Sequence, residues 1–494
     1  FLVFAVWLNS CTKDLVPIDY SEINPNIFPK SASDLEAMVN ACYYPLRGAW
    51  SDGIFSTSER GVMFLSDATT EILYGKYGDQ NIASLQNYQS NSPGFTRYYD
   101  DFYNKISRMT MTIDLISQSA VSEDLKKKAI AEVRCARGLL AYTLFDLYGP
   151  LVIAPLEVLK NPLQEAPLAR MDYNEMVDFI EADLEAAAAD LPLPQDAEYG
   201  RFSKALAKMI DIRLNLHEKR WDKVKTLCDD IIAYNAYTLD NDYAAIWDLE
   251  GAKNSREVIW AIPCDYAGTS ENQWQLMVLP SNYKPKGGWG TISSTWWFYD
   301  RFEPDDKRKK MLIAEYTGSD GITYNRANPG AILDWGPIPL KINEDADRTT
   351  SLTTVDIVMY RYPDVLLSKA EAIANAGAPT EEAMELVNVV RRRAGLEDKK
   401  LSDYASLDAF NDLILLERSH EFWCENGQYR ADLIRHGKFV SRCQEVTQST
   451  YTNPNKVLFP FSLQTVSEGK GKFIQNPGRS EEHTSELQSL AYLV

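Results

Sequence analysis

Pairs of amphipathic helical segments joined by short turns constrain the fold of this chain more than any other feature. Apolar residues recur every three to four positions through several long segments, which is typical of helices with one buried face. The predicted pairs are 202–216 with 221–234, and 362–376 with 380–394. Such pairs resemble tetratricopeptide hairpins, which stack because one hairpin cannot bury its apolar face alone. The sequence therefore predicts a mainly α fold with a helical-hairpin scaffold, and another α-helical bundle is the alternative.

Other helices are predicted from their start and stop signals. Ser33 and Glu36 have the spacing of a capping box, and an apolar face at helical spacing follows them. Ser122 is the predicted start of a long helix that ends at Gly149-Pro150. Further helices are predicted over 173–191 and 407–422.

Residues 240–355 have a different pattern. They are rich in Gly, Pro, Trp, Asn and Asp, and helical periodicity is largely lost, although Val258–Ile262 has the composition of a strand. Their high aromatic content argues against disorder. We expect an ordered, loop-rich insertion with short β-strands, placed on the helical scaffold.

The N-terminal residues predict attachment to a membrane through lipid. Residues 1–8 are an apolar run too short to span a bilayer, and we expect 1–10 to be the remnant of a truncated signal peptide. Leu8-Asn9-Ser10-Cys11 resembles a bacterial lipobox, with Cys11 as the lipidated residue. An ordinary cleaved signal with a coincidental cysteine is the alternative.

Charge and histidine content exclude several classes of function. The chain has 51 Lys and Arg against 70 Asp and Glu, a net charge of −19, which disfavours binding to nucleic acid. Only four histidines occur, none with a partner at ligand spacing, so no metal site and no cofactor are predicted. Structural calcium in the Asp-rich loops stays open, although no EF-hand-like spacing supports it.

Several motifs, in order along residues 11–478, resemble the SusD/RagB family of outer-membrane nutrient-binding lipoproteins. One helix carries paired arginines and ends in Tyr-Gly-Pro, and another reads RYPDVLL, with Pro363 where the family usually has Ala. The motif segments are 134–150, 361–372, 417–435, 459–461 and 475–478. Their charged residues, such as Glu417, Arg418 and Asp432, are predicted to form a structural ion-pair network, since buried charges must be paired. An acid/base site is the alternative.

This resemblance implies a non-catalytic protein that faces outward from the outer membrane on a lipid anchor. It would capture an oligosaccharide or polysaccharide and pass it to a TonB-dependent SusC-like transporter. Some relatives handle peptides, so peptide or glycoprotein cargo is the alternative. The resemblance covers 11–478; residues 479–494 resemble a translated sequencing-library adapter, and we expect them to be foreign.

Loop aromatics are the predicted ligand contacts. A sugar ring has an apolar C–H face that stacks on Trp or Tyr, while its hydroxyls bind polar side chains at the rim. The candidates are Tyr74, Tyr77, Trp274, Tyr283 and Trp289, with Trp50 nearby in sequence to the first two. We expect at least one of the five candidates to contact the ligand.

Two other classes of function stay open. An α-helical glycoside hydrolase needs two carboxylates about 5–10 Å apart across a cleft, and acidic residues are too numerous here to indicate such a pair. No GxSxG or HExxH motif is present. A helical-repeat scaffold that binds only proteins would not need the Trp-rich insertion.

Overall fold

The computed structural model describes residues 28–50, 53–161, 163, 166–265, 270–343 and 352–479. The helices are α1 (Ala32–Tyr43), α2 (Val62–Ala68), α3 (Gly78–Ser84), α4 (Pro93–Gln118), α5 (Glu123–Tyr148), α6 (Leu156–Leu159), α7 (Tyr173–Asp190), α8 (Lys204–His217), α9 (Trp221–Ala233), α10 (Gly251–Asn254), α11 (Trp274–Val278), α12 (Trp296–Tyr299), α13 (Tyr362–Ala376), α14 (Glu381–Arg393), α15 (Leu407–Phe422), α16 (Gln428–Arg435), α17 (Phe439–Thr447) and α18 (Leu463–Glu468). The strands are β1 (Leu73–Gly75), β2 (Val258–Ile262), β3 (Ile292–Ser294), β4 (Leu312–Ile313), β5 (Tyr316–Thr317), β6 (Thr323–Tyr324), β7 (Ile338–Pro339) and β8 (Ile357–Arg361).

The long helices pack side by side in a series. Helix α4 packs against α5, α5 against α7, α7 against α8, α8 against α9 and α9 against α13, which also contacts α14 and α15. Each helix thus buries its apolar face against its neighbours, as stacked hairpins must. The prediction of a mainly α, hairpin-based scaffold is confirmed.

Between α9 and α13 the chain leaves this series and forms short antiparallel strand pairs, one of which includes β1 from the N-terminal part of the chain. The pairs are β1 with β3, β2 with β8, β4 with β7 and β5 with β6. Strand β8 leads directly into α13, with Arg361 as the last strand residue and the N-cap. Strand β2 is the predicted strand, so the prediction of a loop-rich insertion with short strands is confirmed as part of the fold.

The predicted helix ends agree best where apolar periodicity and caps coincide. The bounds of α13 and α15 match the prediction, whereas the capping box of α1 was assigned to the wrong serine. Ser31 is the N-cap: its Oγ accepts from the Asp34 amide at 3.1 Å, and Asp34 Oδ2 accepts from the Ser31 amide at 3.0 Å. The backbone at Ser31 is extended and the helix begins at the next residue, Ala32. Ser33 therefore lies inside the helix and cannot be its N-cap.

Helix α4 is the long helix that the sequence did not predict. Its buried face includes Tyr98, Tyr99 and Phe102, together with the small residues Gly94 and Thr96. Tyrosine, threonine and glycine do not have the aliphatic periodicity from which helices are predicted. Packing against α5 therefore determines this helix more than its local composition does.

Three earlier predictions fall on the ends of the chain. The signal remnant and the lipidated Cys11 lie outside the described residues, as do residues 480–494 of the tail. Arg479 is described: its buried guanidinium donates to the Leu458 carbonyl at 2.9 Å and the Tyr88 carbonyl at 3.1 Å. Across the described residues, no helix has both the length and the apolarity that a membrane span needs.

Candidate functional site

Strand pairing joins the N-terminal part of the chain to the insertion. In the β1–β3 pair, Tyr74 is opposite Ser293 and Gly75 is opposite Ile292. One residue further, the Lys76 amide donates to the Thr291 carbonyl at 3.3 Å. The segment containing Tyr74 and Tyr77 therefore lies beside the segment that follows Trp289. We call this region the aromatic surface, and define it by Tyr74, Tyr77, Trp289 and Trp335.

Tyr74 and Trp335 form the best-aligned aromatic pair of this surface. Their ring centroids are 3.7 Å apart and the planes differ by 10°. Trp335 is 37% exposed, whereas Tyr74 is only 7% exposed. Asn81 Nδ2 donates to the Tyr74 hydroxyl at 3.4 Å, and burial raises the pKa of this phenol. Tyr74 therefore supports Trp335, and Trp335 has the accessible ring.

Sequence reasoning missed Trp335. Its backbone is fixed because its carbonyl accepts from the Trp296 amide at 2.8 Å and its amide donates to Asp334 Oδ1 at 3.0 Å. The available signal was its sequence context, Asp334-Trp335-Gly336-Pro337, since Gly-Pro after an aromatic residue is typical of an exposed turn.

Tyr77 and Trp289 are the most exposed of the predicted contacts. Tyr77 is 63% exposed and Trp289 is 55% exposed. Trp289 meets the edge of Trp50, with centroids 5.5 Å apart, and its amide donates to the Leu276 carbonyl at 2.7 Å. Both rings are thus available to a ligand while the backbone of Trp289 is held.

Tyr283 lies in a neighbouring group of tyrosines. It is partly buried and tilted against Tyr316 at 5.5 Å, and Tyr316 stacks on Tyr324 at 5.1 Å. Asn282 Oδ1 accepts from the Tyr316 hydroxyl at 3.1 Å. Tyr283 is therefore held at the β5–β6 hairpin and is not part of the Tyr74–Trp335 stack.

Trp274 was a wrong choice of ligand contact. It is 0% exposed, its Nε1 donates to the Pro339 carbonyl at 2.8 Å, and its ring packs edge-on against Phe64 at 5.8 Å. A side chain in the core has no surface to offer a sugar. Its neighbours Asn272 and Gln273 suggested an exposed loop, but they are buried and bond to the loop around Thr57.

Charges beside the aromatic surface are paired. Lys76 forms an ion pair with Asp334 next to Trp335. Arg326 forms two hydrogen bonds to Asp300, at 3.0 and 3.1 Å, and its guanidinium lies 4.7 Å from the centre of the Trp296 ring. These two cations are therefore each paired with a carboxylate.

The charged residues of the sequence motifs lie elsewhere, in the core around α13 and α15. Arg418 donates to Asp364 Oδ1 and to Asp432 Oδ2, each at 2.7 Å, and all three are fully buried. Burial alone would raise the pKa of Asp432, but Arg213, Arg418 and Arg435 outweigh it and lower that pKa to about 2. The predicted ion pairs are present, and we name this group the charged core.

A second part of the charged core surrounds Arg308 and Arg361. Arg308 donates to Glu417 at 2.6 Å and Glu421 at 3.0 Å, and Arg361 donates to Glu421 at 2.8 Å. Burial opposes ionisation, but Arg393, Arg361 and Arg308 keep the pKa of Glu421 well below its ordinary value. Glu421 is therefore ionised, and both carboxylates are already bound to arginine.

One acidic group has the spacing of a metal site among the described residues. Ligand oxygens of Glu181, Glu185 and Asp211 lie within 4.8 Å of one another. Lys223 Nζ lies between them, 2.7 Å from Glu185 Oε1 and 3.7 Å from Asp211 Oδ2. The lysine ammonium offsets part of the charge of these carboxylates, and the prediction that no metal or cofactor binds stays a prediction.

Comparison with family models identifies both parts of the scaffold. A model of the SusD family matches residues 313–478. A SusD-like model, described as "Starch-binding associating with outer membrane", matches residues 19–216. The two matches lie on either side of most of the insertion, which contains Trp289 and Tyr283.

Similar proteins cover almost the whole chain. SusD-like protein P25 of Formosa agariphila is 24% identical over 94% of this chain and 95% of its own length. SusD-like protein P38 of the same organism is 26% identical over 88% of this chain and 89% of its own length.

Solved structures have the same fold. Surface glycan-binding protein A from Bacteroides thetaiotaomicron, in complex with laminarihexaose, has a TM-score of 0.71 at 20% identity and covers 90% of this chain and 99% of its own. A SusD superfamily protein from Bacteroides vulgatus has a TM-score of 0.77 at 19% identity and covers 91% of this chain and 99% of its own. The chain belongs to the SusD/RagB family.

Proposed function

We propose that this protein binds an oligosaccharide or polysaccharide at the aromatic surface and passes it to a TonB-dependent SusC-like transporter. The observation that carries the proposal is the group of exposed rings, Tyr77, Trp289 and Trp335, beside the β1–β3 pair. Rings of this kind stack on the C–H faces of sugars. The transfer to a transporter is proposed from family membership.

Two further observations support a glycan as the ligand. The cations beside the rings are paired with carboxylates, which favours a neutral, hydroxylated ligand over an anionic one. One protein of the same fold was solved with laminarihexaose, and the family model that matches residues 19–216 is described as starch-binding. Laminarihexaose and a starch oligosaccharide are therefore the first probes to use.

The protein would act without catalysis. Glycoside hydrolysis needs two carboxylates open to the substrate, one of them able to donate a proton. The carboxylates of the charged core are buried and bonded to arginine, so they cannot reach a glycosidic bond. Incubation with polysaccharide should release no product.

Cys11 would carry the lipid anchor that holds the protein at the outer membrane, facing outward. Each buried acyl CH2 contributes about 0.8 kcal/mol, so several chains on one cysteine anchor a protein stably. Metabolic labelling with a fatty acid should modify the full-length protein but not Cys11→Ser. Labelling of both to the same extent would contradict this part of the proposal.

The binding experiment is a glycan array on the chain without residues 480–494, which keeps the buried Arg479, followed by calorimetric titration of the glycan selected. We expect affinity to fall strongly when Trp289 and Trp335 are both changed to Ala. Tyr451→Ala is a matched control, since it removes an exposed ring outside the aromatic surface. Binding of peptides but of no glycan would favour the alternative cargo, and unchanged affinity in the double variant would contradict the site.

A further inference from the structure

A cavity that shares no residue with the aromatic surface lies elsewhere in the protein. It has a volume of about 360 Å³ and opens between α4, α18 and the residues Val152, Pro167 and Leu168. Cavities of this size are within the range that small ligands occupy. The side chains that the argument uses are Tyr99, Asp100, Tyr103, Ser462, Thr465 and Glu468.

One wall of the cavity is aromatic and rigid. Tyr99 and Tyr103 are one helical turn apart on α4, and their rings stack with centroids 4.7 Å apart and planes within 2°. The Tyr99 ring also packs edge-on against Phe461 and Phe473, with ring centroids 4.8 and 5.6 Å away. Tyr103 is only partly buried where it lines the cavity. A ligand therefore meets a fixed tyrosine ring.

The rest of the lining includes polar side chains that are preorganised. Asp100 Oδ1 accepts from the Thr465 hydroxyl at 2.6 Å and the Ser462 hydroxyl at 3.2 Å, which fixes the carboxylate against the start of α18. Gln464 Nε2 donates to Glu468 Oε1 at 2.8 Å, and Asn104 is exposed at the rim. Carboxylates, hydroxyls and amides thus line the cavity together with the tyrosine rings.

We propose that this cavity is a second saccharide site that binds one neutral sugar ring. Sugar hydroxyls both donate and accept, which suits a mixture of carboxylate acceptors and amide donors. No lysine, arginine or histidine is among the described residues that line it, so a uronate or sulfated sugar would meet Asp100 and Glu468 without a balancing cation. A lysine or arginine side chain only donates and would leave the amide N–H groups without partners.

This inference does not depend on the aromatic surface, and the experiment separates the two sites. Saturation-transfer NMR would be recorded on the Trp289→Ala/Trp335→Ala chain with D-glucose, D-galactose and D-mannose, and with D-glucuronate as the anionic probe. We expect transfer to at least one neutral sugar and none to glucuronate. Adding Asp100→Asn should weaken binding about tenfold, because one charge-assisted hydrogen bond is lost.

Two variants keep the test falsifiable. In Asp100→Asn the amide oxygen can still accept from Ser462 and Thr465, so the fold is retained; Tyr103→Ala removes the ring face and should abolish transfer. Tyr451→Ala controls for loss of an exposed tyrosine. The proposal is overturned if no neutral sugar gives transfer, if glucuronate binds as well as the neutral sugars, if neither cavity variant changes the signal, or if a lysine peptide binds there and displaces the sugar. Failure of the proposed function is a separate result, namely unchanged oligosaccharide affinity in Trp289→Ala/Trp335→Ala.

Discussion

The charged core and the aromatic surface differ in how far their characteristic side chains are exposed to solvent. In the charged core, Arg418 and its partners Asp364 and Asp432 are fully buried, and each charge is neutralised within the fold. In the aromatic surface, the side chains of Tyr77 and Trp289 are largely exposed, so they contribute little to the packing of the fold. The first region comes from segments that resemble the family motifs, and the second comes mainly from loops.

This difference explains why the sequence indicates the family more clearly than it indicates the ligand. A buried charge that loses its partner is costly, so the residues of the charged core constrain one another. Exposed rings can change with little effect on stability, so the surface that we propose binds the ligand is free to vary. Motifs therefore mark what the fold requires, and the ligand must be sought outside them.

The largest expected effect is the loss of Arg418. Arg418→Leu leaves Asp364 and Asp432 buried with fewer partners, and should lower the free energy of unfolding by about 3–5 kcal/mol. Arg392→Leu is the matched control, because Arg392 pairs with Glu385 and Asp398 at the surface and its loss should cost under about 1 kcal/mol. Both are measured by urea unfolding, and similar losses in the two variants would contradict the distinction.

A substitution at Trp274 tests whether this residue belongs to the core or to the aromatic surface. Because its ring is enclosed against Phe64 and its Nε1 is bonded to Pro339, Trp274→Ala should lower the free energy of unfolding by about 3–5 kcal/mol. Glycan affinity should be retained at temperatures where the variant is folded. A stable Trp274→Ala protein with reduced affinity would return Trp274 to the ligand site.

These corrections show how far local sequence predicts this molecule. The bounds of α13 and α15 follow from apolar periodicity and caps, which are local properties. The exposure of Trp335 and the burial of Trp274 depend on which distant segments pair, such as β1 with β3 and Trp274 with Pro339. No periodicity within a loop records those contacts, so the sequence located the aromatic region with its exposed rings Tyr77 and Trp289, but it missed Trp335 and wrongly included Trp274.

The charged core should also determine acid stability. The pKa of Asp432 is about 2 in the folded protein against an ordinary value of 3.8. A lowered pKa means that the unfolded chain binds the proton first, so this contribution is complete above about pH 4 and is lost as the pH falls toward 2, on the order of 2 kcal/mol.

Urea unfolding of the wild-type protein and Asp432→Asn, repeated between pH 5 and pH 2, measures this contribution. The stability difference between the two proteins should shrink as the pH falls. A constant difference across this range would show that Asp432 is not held ionised by its arginines.

The smallest expected effect is at Tyr77. This ring is the most exposed of the aromatic surface, so Tyr77→Ala should leave the unfolding free energy unchanged within about 0.5 kcal/mol. Glycan affinity should fall about three- to tenfold, because one stacking contact is lost. Calorimetric titration checks this value, and unchanged affinity would remove Tyr77 from the ligand site.

The central claim is that the aromatic surface binds the ligand while the charged core holds the fold. The most direct measurement compares glycan affinity and unfolding free energy in two variants, Trp289→Ala/Trp335→Ala and Arg418→Lys. We predict that the first loses about 10- to 100-fold in affinity with its stability retained, and that the second loses stability but binds normally while folded. A folded Arg418→Lys protein that no longer binds glycan, beside a double variant that binds as well as wild type, would contradict the account.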